Sequence, residues 1–270
     1  MAHGLSSEER SDLLALAERL AREAGTMALR GRRSGSTLVS HTKSTSTDVV
    51  TEYDRASEEL IVAGLRSARP HDGLIGEEGT ATPGDSGIEW LIDPIDGTTN
   101  FLYDLPGWGV SIAARSQTDT EVGVVYVPTT DEMFSAARGE GARLNGEPIR
   151  CSTSTDLATA LVATGFGYRP ERRAAQARRL ETLLPRVRDI RRFGAAAPDL
   201  CYVAAGRVDA YYEEWLNPWD LAAGELIARE AGCTTGSIDG GPVRPSSTLV
   251  AAPGVFDSLR SLLAEIDATR

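Results

Sequence analysis

The chain has 270 residues, 41% of them hydrophobic, with 28 basic against 39 acidic side chains and a net charge of -11. That length supports a sizeable core in one large domain or two closely packed halves, and the composition excludes wholesale disorder. The acidic balance argues against a general nucleic-acid surface. No apolar run approaches the roughly 20 residues of a membrane span, and the N-terminus lacks the features of a signal peptide, so a cytoplasmic location is expected.

Ser6-Ser7-Glu8-Glu9 reads as a capping box, and Leu13, Ala17, Leu20 and Ala21 continue it as a helical apolar stripe to about Arg30. Residues 33–47 are rich in Ser, Thr and Gly and predict a loop, which holds Lys43, the only lysine. A second helix is predicted over 49–69, with Val50, Ala56, Leu60 and Leu65 among its buried positions. Leu74-Ile75-Gly76 predicts a short strand ending in Glu77 and Glu78. Residues 79–88 predict a loop. Its Gly84-Asp85-Ser86-Gly87 looks like a serine-protease nucleophile loop, but no histidine follows His71 and the strand–turn–helix context is missing.

Trp90-Leu91-Ile92 predicts a buried strand that ends abruptly in Asp93-Pro94-Ile95-Asp96. Gly97 permits an awkward turn, and the Thr98 and Thr99 hydroxyls are placed to cap a following helix. Two carboxylates at the carboxyl end of a strand, beside free backbone N–H groups, suit a divalent cation holding a phosphate. An Asp-Gly turn with two solvated acids is the alternative.

Residues 109–115, 122–127 and 133–137 predict strands of a meander, and the Gly-rich run 139–146 a hairpin. Residues 151–156 make a boundary between halves. Beyond it come a strand over 161–163, an Arg-rich helix over 171–184, and a helix opened by Pro198. A strand over 208–212, a helix from Trp219 to Gly232, a strand over 248–252 and a helix over 255–266 complete a mixed α/β pattern. Cys151, Cys201 and Cys233 are odd in number and scattered, which predicts reduced thiols. His3, His41 and His71 lie away from the central acids, against His-ligated zinc or Ser-His-Asp chemistry.

Three further acids sit where local structure aims them inward: Asp54 on a helix face, Glu77 at a strand end and Asp220 at a helix start. Each also has an ordinary place, as a solvated helix acid, a loop charge, or an N-terminal acid favoured by the helix dipole. Together, however, these positions resemble the inositol monophosphatase family. The likeness rests on Lys43 with residues 48–54, Gly76-Glu77-Glu78, the run from Asp93 to Phe101, residues 203–213, and Trp219-Asp220-Leu-Ala-Ala-Gly224. It covers nearly the whole chain in the family's order and spacing. The haloacid dehalogenase-type Asp-x-Asp motif also runs into Gly-Thr, but Pro94 stands where it needs an acid.

The resemblance implies an α/β fold, the layered αβαβα sandwich of the inositol monophosphatase and fructose bisphosphatase type. Residues 1–150 would carry most metal ligands, residues 151–270 Asp220 and the substrate contacts, with the site between them. It also implies two to three Mg2+ ions. Glu77, Asp93 and the Ile95 carbonyl would hold one, and Asp93, Asp96 and Asp220 a second, with Asp93 bridging. A third, weaker ion would lean on Glu77. Glu77 and Thr98 would help activate water, Asp54 would orient the Thr98 hydroxyl, and Lys43 joins this catalytic set. Gly97 and Thr98 N–H groups would cradle the phosphate, while Asp96, Gly194, Ala196 and Glu213 meet the substrate's hydroxyls. The implied substrate is a myo-inositol monophosphate, a small phosphorylated polyol; histidinol, sugar or nucleotide phosphates are alternatives, as is a regulatory binding role in RNA metabolism. Lithium inhibition and a homodimer are implied too, with neither nucleic acid nor membrane as partner. Tyr168 and Pro198 depart from the family's usual residues, which leaves the substrate contacts open.

Physics points the same way. Two carboxylates about 5 Å apart repel by roughly 3 kcal/mol at an effective dielectric near 20. A cluster of four or five would protonate or splay unless cations filled it. Oxygen ligands without His or Cys suit Mg2+ better than zinc.

Overall fold

The computed structural model describes residues 5–34, 40–42 and 49–268; Lys43 lies outside them. Helix α1 (Ser7–Arg33) starts at the expected capping box, the Ser6 hydroxyl accepting the Glu9 N–H and the Glu9 carboxylate accepting that of Ser6. Strands β1 (Ser40–Thr42) and β2 (Val49–Thr51) pair antiparallel, so part of the predicted loop and the start of the predicted helix are a ribbon. The β-branched Val49-Val50-Thr51 prefers extended backbone. Helix α2 (Glu52–Ala68) therefore begins later than predicted. Its buried stripe is Asp54, Ser57, Glu58, Ile61, Val62 and Leu65. Ala56 and Leu60, predicted to be inside, are only half-buried.

Then come β3 (Gly73–Gly76), β4 (Ala81–Thr82) within the predicted loop, and β5 (Glu89–Asp96). Helix α3 (Thr98–Leu102) precedes β6 (Gly109–Arg115), β7 (Thr120–Val127) and β8 (Glu132–Ala137). With β9 (Ala142–Leu144) and β10 (Glu147–Pro148) they form an eight-stranded sheet, order β10-β9-β8-β7-β6-β5-β3-β4, in which only β3 and β5 run parallel. The later segment holds β11 (Leu161–Thr164), α4 (Pro170–Leu183), β12 (Asp189–Arg191), α5 (Ala196–Ala204) and β13 (Ala210–Glu213). It continues through α6 (Pro218–Glu230), β14 (Thr234–Gly236), β15 (Thr248–Ala251) and α7 (Pro253–Ala268). The second sheet has the order β12-β11-β13-β15-β14. Its two edge strands, each three residues long, are too short to show a period and were not anticipated.

Strand alternation sorts the core into layers. Trp90, Ile92, Ile112 and Val124 pack beneath α1 and α2, against Leu20 and Ile61. Leu91, Ala113 and Val125 face the other way, onto Leu200 of α5 and Leu226 of α6, which Tyr211 and Val250 of the second sheet cover from beyond. The outer face of that sheet, with Val162 and Leu249, packs on Leu183 of α4 and Leu259 of α7. The layers run helix, sheet, helix, sheet, helix. Each fully buried aliphatic side chain contributes about 1.5–3 kcal/mol. All three cysteines are free thiols, and no helix among the described residues is long and apolar enough to cross a membrane.

Helix α6 is tied down near its C-terminus. Arg229 donates to both oxygens of Asp119, in the turn before β7, at 3.0 Å each. Burial pushes the Asp119 carboxyl up, but the Arg229 hydrogen bonds and charge outweigh it and hold the group below its ordinary value. A depressed carboxyl stabilises the fold above its unfolded pKa and loses that contribution as pH falls through its folded one. Asp119→Asn is therefore expected to cost about 1 kcal/mol at pH 7 and progressively less below about pH 4. Urea midpoints at pH 7, 5 and 3.5 test this; a gap that does not shrink with acid would refute it.

Candidate active site

Asp93 follows Leu91 on the sheet face that looks toward α5 and α6. Asp96, three residues on, would fall on the opposite face of a regular strand. The register shifts between them: Asp93 pairs with Ser111 and Asp96 with Gly109, three steps against two. This bulge adds one residue and returns Asp96 to the inner face. There it accepts the Ala197 N–H at the start of α5, at 2.6 Å. Pro94 has no N–H to contribute and sits within the bulge, its carbonyl accepting the Ser57 hydroxyl at 3.0 Å. Ile95 turns to the other side, among Ala28, Phe101 and Trp108. The strand thus runs through Asp93-Pro94-Ile95-Asp96, the stretch in which it was expected to end, and closes at Asp96.

Gly97 follows with φ 92°, a left-handed conformation that glycine adopts without Cβ strain. Neither threonine caps α3, contrary to the sequence expectation. The Thr98 hydroxyl instead lies 3.1 Å from Asp54 Oδ1 and 3.2 Å from the Ile95 carbonyl. Asp54 is fully buried behind it, and its other oxygen accepts the Thr51 N–H at 2.8 Å. Burial pushes the Asp54 carboxyl up to about 6, against the lowering effect of the Thr51 and Thr98 hydrogen bonds.

Asp220 occupies the third position of α6, where it accepts the Asn217 N–H at 2.7 Å. Asp54 holds the same position in α2, behind Thr51. Thr51-x-x-Asp54 and Asn217-x-x-Asp220 are both capping boxes with Asp in the acidic place, a signal present in the sequence. Glu77, just past β3, donates its N–H to the Ile92 carbonyl at 3.1 Å.

These acids press on one another. Asp93 is 1% exposed; burial raises its carboxyl well above the ordinary value, and the charges of Glu77, Asp96 and Asp220 add to that. It is hydrogen-bonded to Glu77 on one side and Asp220 on the other. Burial and the Asp96 charge raise Asp220 likewise. Burial carries Asp96 to about 7 despite the Ala197 N–H. Glu213, at the end of β13, is carried by burial to about 7, with the Tyr211 hydroxyl donating to it.

A cavity of about 410 Å3 opens among them, lined by Glu77, Asp93, Ile95, Asp96, Gly97, Thr98, Gly194, Ala196, Glu213 and Asp220. Every site residue predicted from the sequence borders it except Asp54, which stands behind Thr98, and Lys43, outside the described residues. Among the described residues, no three acids, thiols or imidazoles converge tightly enough as they stand to enclose a cation. The like-charged contacts made by Asp93 nonetheless require shared protons or a cation between them. With carboxylate and carbonyl oxygen as donors, the residues fit Mg2+.

Other residues that build the site carried no motif. Glu58, 4% exposed, accepts the Glu78 and Thr80 N–H groups at 2.7 and 3.0 Å and the Thr80 hydroxyl at 2.7 Å, pinning the turn that bears Glu77. It lies across Gly76, where a Cβ would come within 2.4 Å of its carboxylate. Its sequence signal is an acid four residues after Asp54 on the buried stripe of α2. Asp199 is 1% exposed at the cavity floor, one oxygen lacking any hydrogen bond, and burial followed by the Asp96 and Glu213 charges raises it well above its ordinary value. The Asn100 amide donates to the Gly107 and Phe193 carbonyls at 3.0 and 2.8 Å, fixing the approach to Gly194.

The model of the inositol monophosphatase family matches residues 9–267. The chain is 46% identical over 231 residues to the Nus factor SuhB of Pasteurella multocida, covering 85% of this chain and 86% of that protein. It is 46% identical over 233 residues to an inositol-1-monophosphatase of Mycobacterium leprae, covering 82% and 80%. The structure of the extragenic suppressor protein suhB from Bartonella henselae superposes with a TM-score of 0.89 at 36% identity, over 93% of this chain and 98% of that one.

Glu58→Gln removes the charge that holds the Glu77 turn and is expected to cost about 1.5–3 kcal/mol in urea denaturation. Amide hydrogen exchange at Glu78 and Thr80 should quicken. Unchanged protection at both would show that the turn is held by something else.

Proposed function

This chain belongs to the inositol monophosphatase family, and we propose that it is a Mg2+-dependent phosphomonoesterase acting on a myo-inositol monophosphate. The observation that carries the reading is the gathering of Glu77, Asp93, Asp96 and Asp220 around one cavity, beside the backbone of Gly97 and Thr98. Glu77, Asp93 and the Ile95 carbonyl would hold one ion, and Asp93, Asp96 and Asp220 a second, with a weaker third leaning on Glu77. When bound, such ions acidify a water and stabilise charge during in-line displacement at phosphorus.

The chain's own groups do the rest. The Gly97 and Thr98 N–H groups receive phosphate oxygens. The Thr98 hydroxyl, aimed by Asp54, and the Glu77 carboxylate position and deprotonate the attacking water, and Lys43 is assigned to the same set. Asp96, Glu213 and the backbone at Gly194 and Ala196 receive the polyol's hydroxyls. Residues 1–150 and 151–270 act as two halves sharing this cavity. A cytoplasmic, lithium-sensitive homodimer belongs to the same proposal, with histidinol, sugar and nucleotide phosphates as the competing substrates. The Gly97-Thr98-Thr99-Asn100-Phe101 run and the name of the Mycobacterium leprae relative favour inositol.

A second reading is favoured by the name Nus factor borne by the Pasteurella multocida relative: a regulatory binding role in RNA metabolism. The net charge of -11 favours a protein partner over direct RNA contact in that role. Co-purification with transcription machinery, unaffected by Asp93→Asn, would support it.

A panel of the four substrate classes, with and without Mg2+, should rank inositol phosphate first by kcat/KM and show no turnover without the ion. Asp93→Asn and Asp220→Asn should each cut turnover roughly a hundredfold or more while the fold persists. Without Mg2+ both variants should be at least as stable as the parent, since each removes a repelling acid. Near-normal turnover in either would refute the metal assignment.

A further inference from the structure

The cavity has two electrostatic poles. Its floor is the carboxylate cluster; its mouth carries the guanidiniums of Arg169, Arg172 and Arg192. Of the neighbouring arginines, Arg179 pairs with Glu214 and Asp267 and Arg191 with Asp189, whereas Arg173, Arg178 and Arg188 face no such acid among the described residues and do not line this cavity. Among the described residues, none of the three at the mouth has an ion pair with a carboxylate.

Two of them are held by aromatic rings. The Arg172 guanidinium carbon lies 4.6 Å from the centroid of Trp215, and that of Arg192 lies 6.0 Å from Phe166. Trp215 is itself in the left-handed region, with φ 66°, a costly conformation for a bulky residue. A planar cation stacked on an indole keeps its in-plane N–H groups free to grip an anion.

The Arg192 charge already offsets the buried Glu213 and Asp199, but a neutral polyol leaving group gives Arg169 and Arg172 no counter-charge. Its hydroxyls call for acceptors such as Glu213, and its one phosphoryl group belongs on the floor. We propose that Arg169 and Arg172, with Arg192 beside them, form a subsite for a second anionic group, phosphate or carboxylate, on the alcohol that leaves, so that among polyol phosphates sharing the scissile group the site favours the one that carries it. This rests on the phosphomonoesterase reading. The step is the same hydrolysis: a water oxygen bonds to phosphorus, the bond from phosphorus to the alcohol oxygen breaks, and the alcohol departs with a proton. The mouth adds binding and selection, and its pull weakens as salt screens it.

The test uses the full chain saturated with Mg2+ and two matched pairs: myo-inositol 1-phosphate against a myo-inositol bisphosphate carrying the same 1-phosphate, and glycerol 2-phosphate against 2-phosphoglycerate. In at least one pair, the member with the extra anion should have about tenfold or more higher kcat/KM, mainly through KM. Which pair shows it identifies the anion. The preference should fall toward one in the Arg169→Gln/Arg172→Gln double variant and in raised KCl. Ratios near one in both pairs, or a preference that survives in the double variant, would overturn the inference and leave the phosphomonoesterase reading standing. Absence of turnover on all four compounds would remove both.

Discussion

Like charges forced together in a dry place dominate this molecule. Asp93 is buried between Glu77 and Asp220, with Asp96 close by, and the fold offers no described basic side chain within the cluster to offset them. Isolated carboxylates in such a setting would protonate or move apart. Here they are held in place, which means that other interactions absorb the strain. The Ala197 N–H on Asp96, the Asn217 N–H on Asp220 and the Thr51 N–H on Asp54 each lower the cost of one acid.

The supports come from ordinary local structure put to unusual use. A capping box normally opens a helix at the surface; twice in this chain its acidic member points inward. A β-bulge normally twists an edge; in β5 it turns a second aspartate onto the face of the first. Glu58 adds a layer beneath, an acid that touches no substrate pocket but fixes the turn carrying one that does. The centre is overdetermined by backbone donors, which suits groups that must not drift when their charge changes.

Much of this was legible in the residues. The run from Trp90 to Phe101 and the block around Asp220 pointed to one another because carboxylates beside a glycine turn have a limited chemical repertoire. The layered fold followed from the resemblance, and the alternation of Trp90, Leu91 and Ile92 between two cores realises it. What escaped had weak local signals. The strands at 40–42 and 49–51 lie in a polar stretch whose pairing is tertiary, and the stripe of α2 was misplaced because its buried positions are partly polar. Helix capping by Thr98 was a sound local expectation, overridden when its hydroxyl found Asp54. Asp199 and the arginines at the mouth belong to no spacing rule; only the folded cavity brings them together.

The bond from the Ala197 N–H to Asp96 joins two residues 101 positions apart in the chain. Contacts so distant along the chain form after local hairpins and helices, because chain entropy must be surrendered before they return anything. The burial that raises Asp96 therefore depends on residues far apart in the chain being in place together, a property of the assembled fold and of no single segment.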